Sequence, residues 1–137
     1  MGVRNNRSPL ADDDERRWSL SQLFTSVWER YGVEMLMTET AHIGDMRAAW
    51  LRELATEVEL MLDRGIPLQG VCLYPVIGMQ DWHSNEWPPM GLWDLVRNGD
   101  TLDRKPHVPA LQALREAQRL EERHKVRGQS IAASIST

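Results

Sequence analysis

Of the chain's 137 residues, 42% are hydrophobic and 26% charged, a globular composition that excludes a disordered chain. That length suffices for one domain with a real core. The net charge of −4, with no basic stripe, argues against a nucleic-acid partner, and no apolar run approaches the roughly 18 residues of a membrane span.

Residues 1–18 form a polar leading segment that contains "ADDDERR", most simply a solvated run, and "MGVRNNRSPL" lacks the apolar region of a signal peptide. Cys72 is the sole cysteine, so no internal disulfide can form, and a reducing, cytoplasmic location is expected. Because it falls in an apolar run, Cys72 is expected to be a buried, inert thiol.

Ser19 opens a predicted helix, with Gln22 in capping-box spacing. Leu20, Leu23, Phe24, Val27, Trp28 and Tyr31 then form one wide apolar stripe, and Gly32 ends the helix. "VEMLMTE" at 33–39 reads as a parallel strand covered on both faces. A second helix is expected from about Asp45 to Arg64, with Ala48, Leu51, Leu54, Ala55, Val58, Met61 and Leu62 as its stripe. "GVCLYPVI" at 70–77 is a second strand. About thirty residues rich in Trp, Pro, Gly and Asp follow without a clear period, and loops of that length are usually functional or disordered. A last helix from about Pro109 to Arg123 carries Leu111, Leu114, Ala117 and Leu120. Residues 124–137 are expected to be a flexible tail.

The fold class is therefore α/β, two parallel strands with flanking helices over residues 19–123. Parallel strands need a crossover connection, and two of them with these helices cannot hide both edges. The unit reads as an excerpt of a larger sheet or barrel, since a whole (β/α)₈ barrel needs about 250 residues.

In such folds the ligand side is the carboxyl end of the strands. Glu39 stands at one such end, and Asp81, Trp82, His83, Glu86, Trp87 and Trp93 follow the other. A carboxylate among indole faces suits glycoside chemistry: the acid attacks or donates a proton, and the indoles hold the sugar's C–H faces. Plainer readings stand beside this. Glu39 can be a structural acid bonded to an arginine or to backbone amides. Arg47 suits the helix surface or a supporting position better than catalysis. Trp28 and Trp50 suit packing. His42, His83 and His107 with Glu39 match no zinc-ligand spacing.

"MLMTET", "DMRAAWL", "GVCLYPVIGMQDW" and "GLWDL", in that order, resemble the C-terminal quarter of family 1 glycoside hydrolases, the β-glucosidase-like (β/α)₈ (TIM) barrels, over about residues 19–122. The resemblance implies a retaining glycosidase fragment with Glu39 as nucleophile. It places Asp45, Arg47, Trp50 and Leu51 on the family's helix pattern and Asp81 and Trp82 on a Glu-Trp pair that grips the sugar's outer hydroxyls. Tyr74 and Trp87 complete the expected substrate-binding set. A glycoside is the implied partner, together with the missing barrel portion or further copies of the chain. No cofactor or metal is implied. The family's acid/base residue comes from a fourth strand that these residues do not contain. Thr40, Ala41 and His42 replace the family's Asn-Gly, leaving His42 without an inherited role. Tyr74 and Pro75 replace a Trp-Ser pair that is typically cis, so a cis Tyr74–Pro75 bond is expected, which proline makes inexpensive. The other class of function open to the chain is a non-catalytic sugar-binding or assembly module.

Overall fold

The computed structural model describes residues 17–135; the leading segment before Arg17, with its acidic run, lies outside the described residues. Three helices and two separate two-stranded sheets appear in the order α1 (Leu20–Tyr31), β1 (Met35–Thr40), α2 (Arg47–Asp63), β2 (Leu68–Leu73), β3 (Trp93–Asn98), β4 (Thr101–Pro106) and α3 (Val108–Ile135). A short 3₁₀ turn at Gly44–Met46 leads into α2.

Local chemistry sets the boundaries of α1. The Ser19 side chain accepts from the Gln22 backbone N–H while the Gln22 side chain accepts from Ser19 N–H, and Gly32 closes the helix with φ of 63°, a left-handed cap that glycine adopts without a Cβ clash. Only part of the predicted stripe is used. Leu20, Phe24 and Trp28 pack on the core, whereas Leu23, Val27 and Tyr31 are exposed. Ser21, which is buried, ties α1 to α2 by donating its backbone N–H to Glu57 Oε2 at 2.7 Å.

Strands β1 and β2 are parallel neighbours. The core lies on one side of them: Met35 and Met37 of β1, Ala48, Leu51, Leu54 and Met61 of α2, Ile66, and Ala110 and Ala113 of α3. The two α3 alanines are fully buried, and side chains this small let α3 lie close against α2. The expectation of a strand covered on both faces is corrected here. Leu36 is exposed because the helices pack on the face of Met35 and Met37, leaving the other face open. Cys72 is exposed rather than buried, since it belongs to the same open face.

Two further expectations change. The aperiodic stretch after β2 contains an antiparallel hairpin, with Trp93 opposite Pro106 and Asn98 opposite Thr101. Gly99 holds φ of 60° at the first of its two turn positions, where a two-residue hairpin turn calls for glycine. The last helix continues to Ile135, beyond the Arg123 limit and into the expected tail.

The hairpin is pinned to α2 by a buried ion pair. Arg47, 5% exposed, sends Nη1 to Asp94 Oδ1 at 2.8 Å and Nη2 to Oδ2 at 3.3 Å. Its Nε donates to Gly44 O at 2.7 Å and Nη1 also to Gly91 O at 3.1 Å. The supporting position expected for Arg47 is therefore an interior one. Removing Asp94 leaves a buried guanidinium without its counter-charge. Since the Asp94 carboxylate is itself partly wet, Asp94→Ala is expected to cost about 2 kcal/mol, read from the midpoint of urea unfolding. A loss below about 0.5 kcal/mol, the range of ordinary surface substitutions, would show that the pair holds nothing in place.

Candidate active site

The carboxyl end of β1 does not run straight. Met37 pairs with Val71 and Thr40 with Leu73, so three steps on β1 oppose two on β2. This extra residue is a bulge, a feature that re-aims side chains. Met37 is buried against the helices, and Thr40 also faces them, accepting a 2.9 Å hydrogen bond from Trp50 Nε1 of α2. In an unbroken strand residues three apart face opposite ways. The bulge absorbs that difference and leaves Thr38 and Glu39 both exposed.

Glu39 opens onto a cleft of about 600 Å³ lined also by His42, Tyr74, Pro75, Asp81, Trp82 and His83. Its volume falls within the usual range for small-molecule sites, about 300–1,000 Å³. A second gap, beside Trp50 and Leu73, is about 20 Å³, room for roughly one water. Tyr74 enters the cleft directly after β2; Tyr74–Pro75 is cis, as expected, and the phenol O–H donates to Met79 Sδ at 3.3 Å. Loop 40–46 is held from below. Gly44 N–H donates to Pro89 O at 2.7 Å, and Ile43 bridges Met90. The His42 ring lies 6.3 Å from the Trp50 ring, tilted by 45°, with Nδ1 3.0 Å from Ile43 O.

Of the five site residues expected from sequence, the cleft gathers Glu39, Tyr74, Asp81 and Trp82. Trp87 is half-exposed and is not among the lining residues. Trp93, another stacking candidate, packs against the core from the start of β3. His107 sits at the start of α3, with Nδ1 accepting from Ala110 N–H at 3.3 Å, and is not among the residues that line the cleft with His42 and His83. Among the described residues no group of three or more His, Cys, Asp or Glu side chains is placed to hold a metal ion. Sequence reasoning missed Asp94, the partner of Arg47, and the Thr40–Trp50 bond. Asp94 could have been sought as a counter-charge for the arginine, but 47 positions separate the two.

No protein-family model and no curated protein matches this sequence. Solved structures do match. The crystal structure of β-glycosidase BGL167 superposes with a TM-score of 0.64 at 21% identity, over 82% of this chain and 28% of that one. The β-glycosidase of the hyperthermophile Thermosphaera aggregans gives 0.62 at 22% identity, over 74% and 23%. A β-glucosidase from Thermotoga maritima gives 0.57 at 15%, over 68% and 24%. The chain thus spans about a quarter of the length of each of these structures. The likeness is one of fold: parallel strands with flanking helices, arranged as in part of a TIM-barrel glycosidase. Among the described residues no helix is long and apolar enough to cross a membrane.

Asp81 is the titratable group whose setting is most distinctive. The backbone N–H of Ser84, that of His83 and the Ser84 hydroxyl all donate to its carboxylate, holding its pKa below the ordinary 3.8. Hydrogen bonds to the charged form favour that form. A depressed folded value means that the stabilisation is present above pH 3.8 and is lost as pH falls through the lower folded value. The Asp81 carboxyl carbon, followed by NMR, is expected to titrate below pH 3.8. A midpoint at or above that value would show that the three donors do not engage the charged oxygen in solution.

Proposed function

We propose that this chain supplies the nucleophile side of a retaining β-glycosidase, with Glu39 as the nucleophile. The observation that carries the reading is the place of Glu39: on a bulge at the carboxyl end of β1, exposed in a cleft walled by Tyr74 and Trp82. Carboxyl ends of strands are where barrel enzymes keep their chemistry, and the glycosidase likeness in fold supports the same choice. In the reaction a Glu39 oxygen bonds to the anomeric carbon as the glycosidic C–O bond breaks, and a second carboxyl protonates the departing oxygen. Water then displaces Glu39, passing a proton to that second carboxyl, which stands about 5–5.5 Å away in retaining enzymes.

In the resembled family the second carboxyl comes from a strand outside these 137 residues. The open sheet face and the exposed Leu23, Val27 and Tyr31 of α1 supply surface for further β/α units, on the same polypeptide or another, or for self-association. The reading takes a glycoside as substrate and needs no cofactor. Residue by residue, Tyr74 and Trp82 offer ring faces to the sugar. Trp87 needs a shift of its loop to join them. The single, exposed Cys72 fits a reducing, cytoplasmic setting.

A second reading, a non-catalytic sugar-binding module, rests on the exposed Tyr74 and Trp82 rings that wall the cleft, and one experiment separates the two. A 2-deoxy-2-fluoroglucoside with a dinitrophenolate leaving group needs no proton donor, so it tests Glu39 without the partner acid. It is applied to the chain alone and with complementary barrel units supplied in trans. Peptide mass spectrometry is expected to find the sugar on Glu39, and Glu39→Gln is expected to slow labelling by roughly three orders of magnitude or more, the scale of losing a catalytic nucleophile. Glycoside binding without labelling supports the binding module. Labelling of the Gln variant at the original rate contradicts the enzyme reading.

A further inference from the structure

The segment from Asp81 to Glu86 is closed on itself, and Asp81 does the closing. Its Oδ1 accepts from Ser84 N–H at 2.8 Å, His83 N–H at 2.9 Å and Ser84 Oγ at 3.1 Å. Its own N–H donates to Glu86 O at 2.8 Å, and its C=O accepts from Asn85 N–H at 2.9 Å. Gln80 Nε2 adds a bond to Asn85 O at 2.8 Å. Asn85 takes φ of 58°, a left-handed turn that asparagine tolerates better than most residues. Trp82 rides on this closed turn, 81% exposed and facing the Glu39 cleft.

We propose that Asp81 is a positioning residue: through Oδ1 it locks the 81–86 turn so that the Trp82 indole forms the outer wall of the cleft. This rests on the glycosidase reading of the cleft. Three donors already meet Oδ1, whose acceptor capacity is about two lone pairs. That oxygen is therefore taken up by the turn, while all three donors leave Oδ2 aside. The indole face, in contrast, is free, and a pyranoside's C–H face is what such a ring packs against. Holding the ring in advance removes the ordering cost that a slack loop would charge against binding. The resemblance assigns a carboxylate at this position to the sugar's outer hydroxyls; here the shorter Asp81 side chain commits Oδ1 to its own turn.

The test uses two variants that differ in one carboxamide group. Asp81→Asn keeps an acceptor where Oδ1 stands and removes the charge; Asp81→Ala removes both. Hydrogen exchange at the His83 and Ser84 amides reads the turn, and NMR titration with methyl β-D-glucopyranoside reads the site. Asp81→Asn is expected to stay within about threefold of the parent chain in both. Asp81→Ala is expected to exchange about tenfold faster or more and to weaken glucoside binding about tenfold. Trp82→Ala should lose similar affinity while His83 and Ser84 stay protected. Asp81→Asn that binds as weakly as Asp81→Ala, with its turn intact, overturns the proposal and makes the carboxylate itself the ligand. Unchanged exchange in Asp81→Ala also overturns it. Absence of glucoside binding by the parent chain overturns the reading of the cleft, a failure distinct from the exchange result, which is read without sugar.

Discussion

Arg47 is the constraint on which the rest of the rim depends. One buried guanidinium meets Gly44 O, Gly91 O and both oxygens of Asp94, joining the loop after β1 to the hairpin that follows β2. Each contact answers a cost of burying the charge, and together they fix where the two segments cross. Gly91 is needed there for a separate reason. With φ of 78°, a Cβ on it would stand 2.8 Å from the carbonyl oxygens of Pro75 and Val76, closer than any side chain tolerates. Leu92 and Trp93 in turn donate their backbone N–H groups to Val76 O at 2.7 and 3.2 Å. The backbone just past Tyr74 is therefore held by the same knot that holds the loop carrying His42.

Above this knot the sheet divides labour between its faces. Methionines on β1 and the α2 and α3 side chains make the core on one face, and Leu36 and Cys72 leave the other bare. The bulge near the end of β1 moves Glu39 to that bare side while Thr40 stays anchored to Trp50. This answers the cost that a carboxylate at the end of an apolar strand would otherwise carry: Glu39 stays exposed to solvent at the cleft.

Much of this was legible in the sequence because it is local. Ser19 and Gln22 announce a cap, Gly32 a stop, and the spacing of Ala48, Leu51, Leu54 and Met61 a buried face. The barrel-like order of strand, helix and strand followed from the same periodicities. Burial was less legible. Leu23 and Val27 match the stripe of Phe24 and Trp28, yet nothing among the described residues covers them, and a helical period cannot say which half of a wide stripe finds a partner. The hairpin was missed because Trp, Asp and Arg obscure its alternation, although Gly99-Asp100 is a two-residue hairpin signal. Asp94 and the closed turn of Asp81 were invisible for another reason: both depend on where a side chain points, which residue type and spacing leave open.

We propose that the carboxyl ends of β1 and β2 form one sugar site. The most direct measurement is an amide NMR titration of the chain with 1-deoxynojirimycin, a cationic sugar mimic suited to a cleft that holds an ionised carboxylate. Shifts are expected to gather at 38–42, at Tyr74 and at 80–83, the three segments that meet around Glu39. Shifts gathered instead on the exposed stripe of α1, or none at saturating ligand, would contradict it.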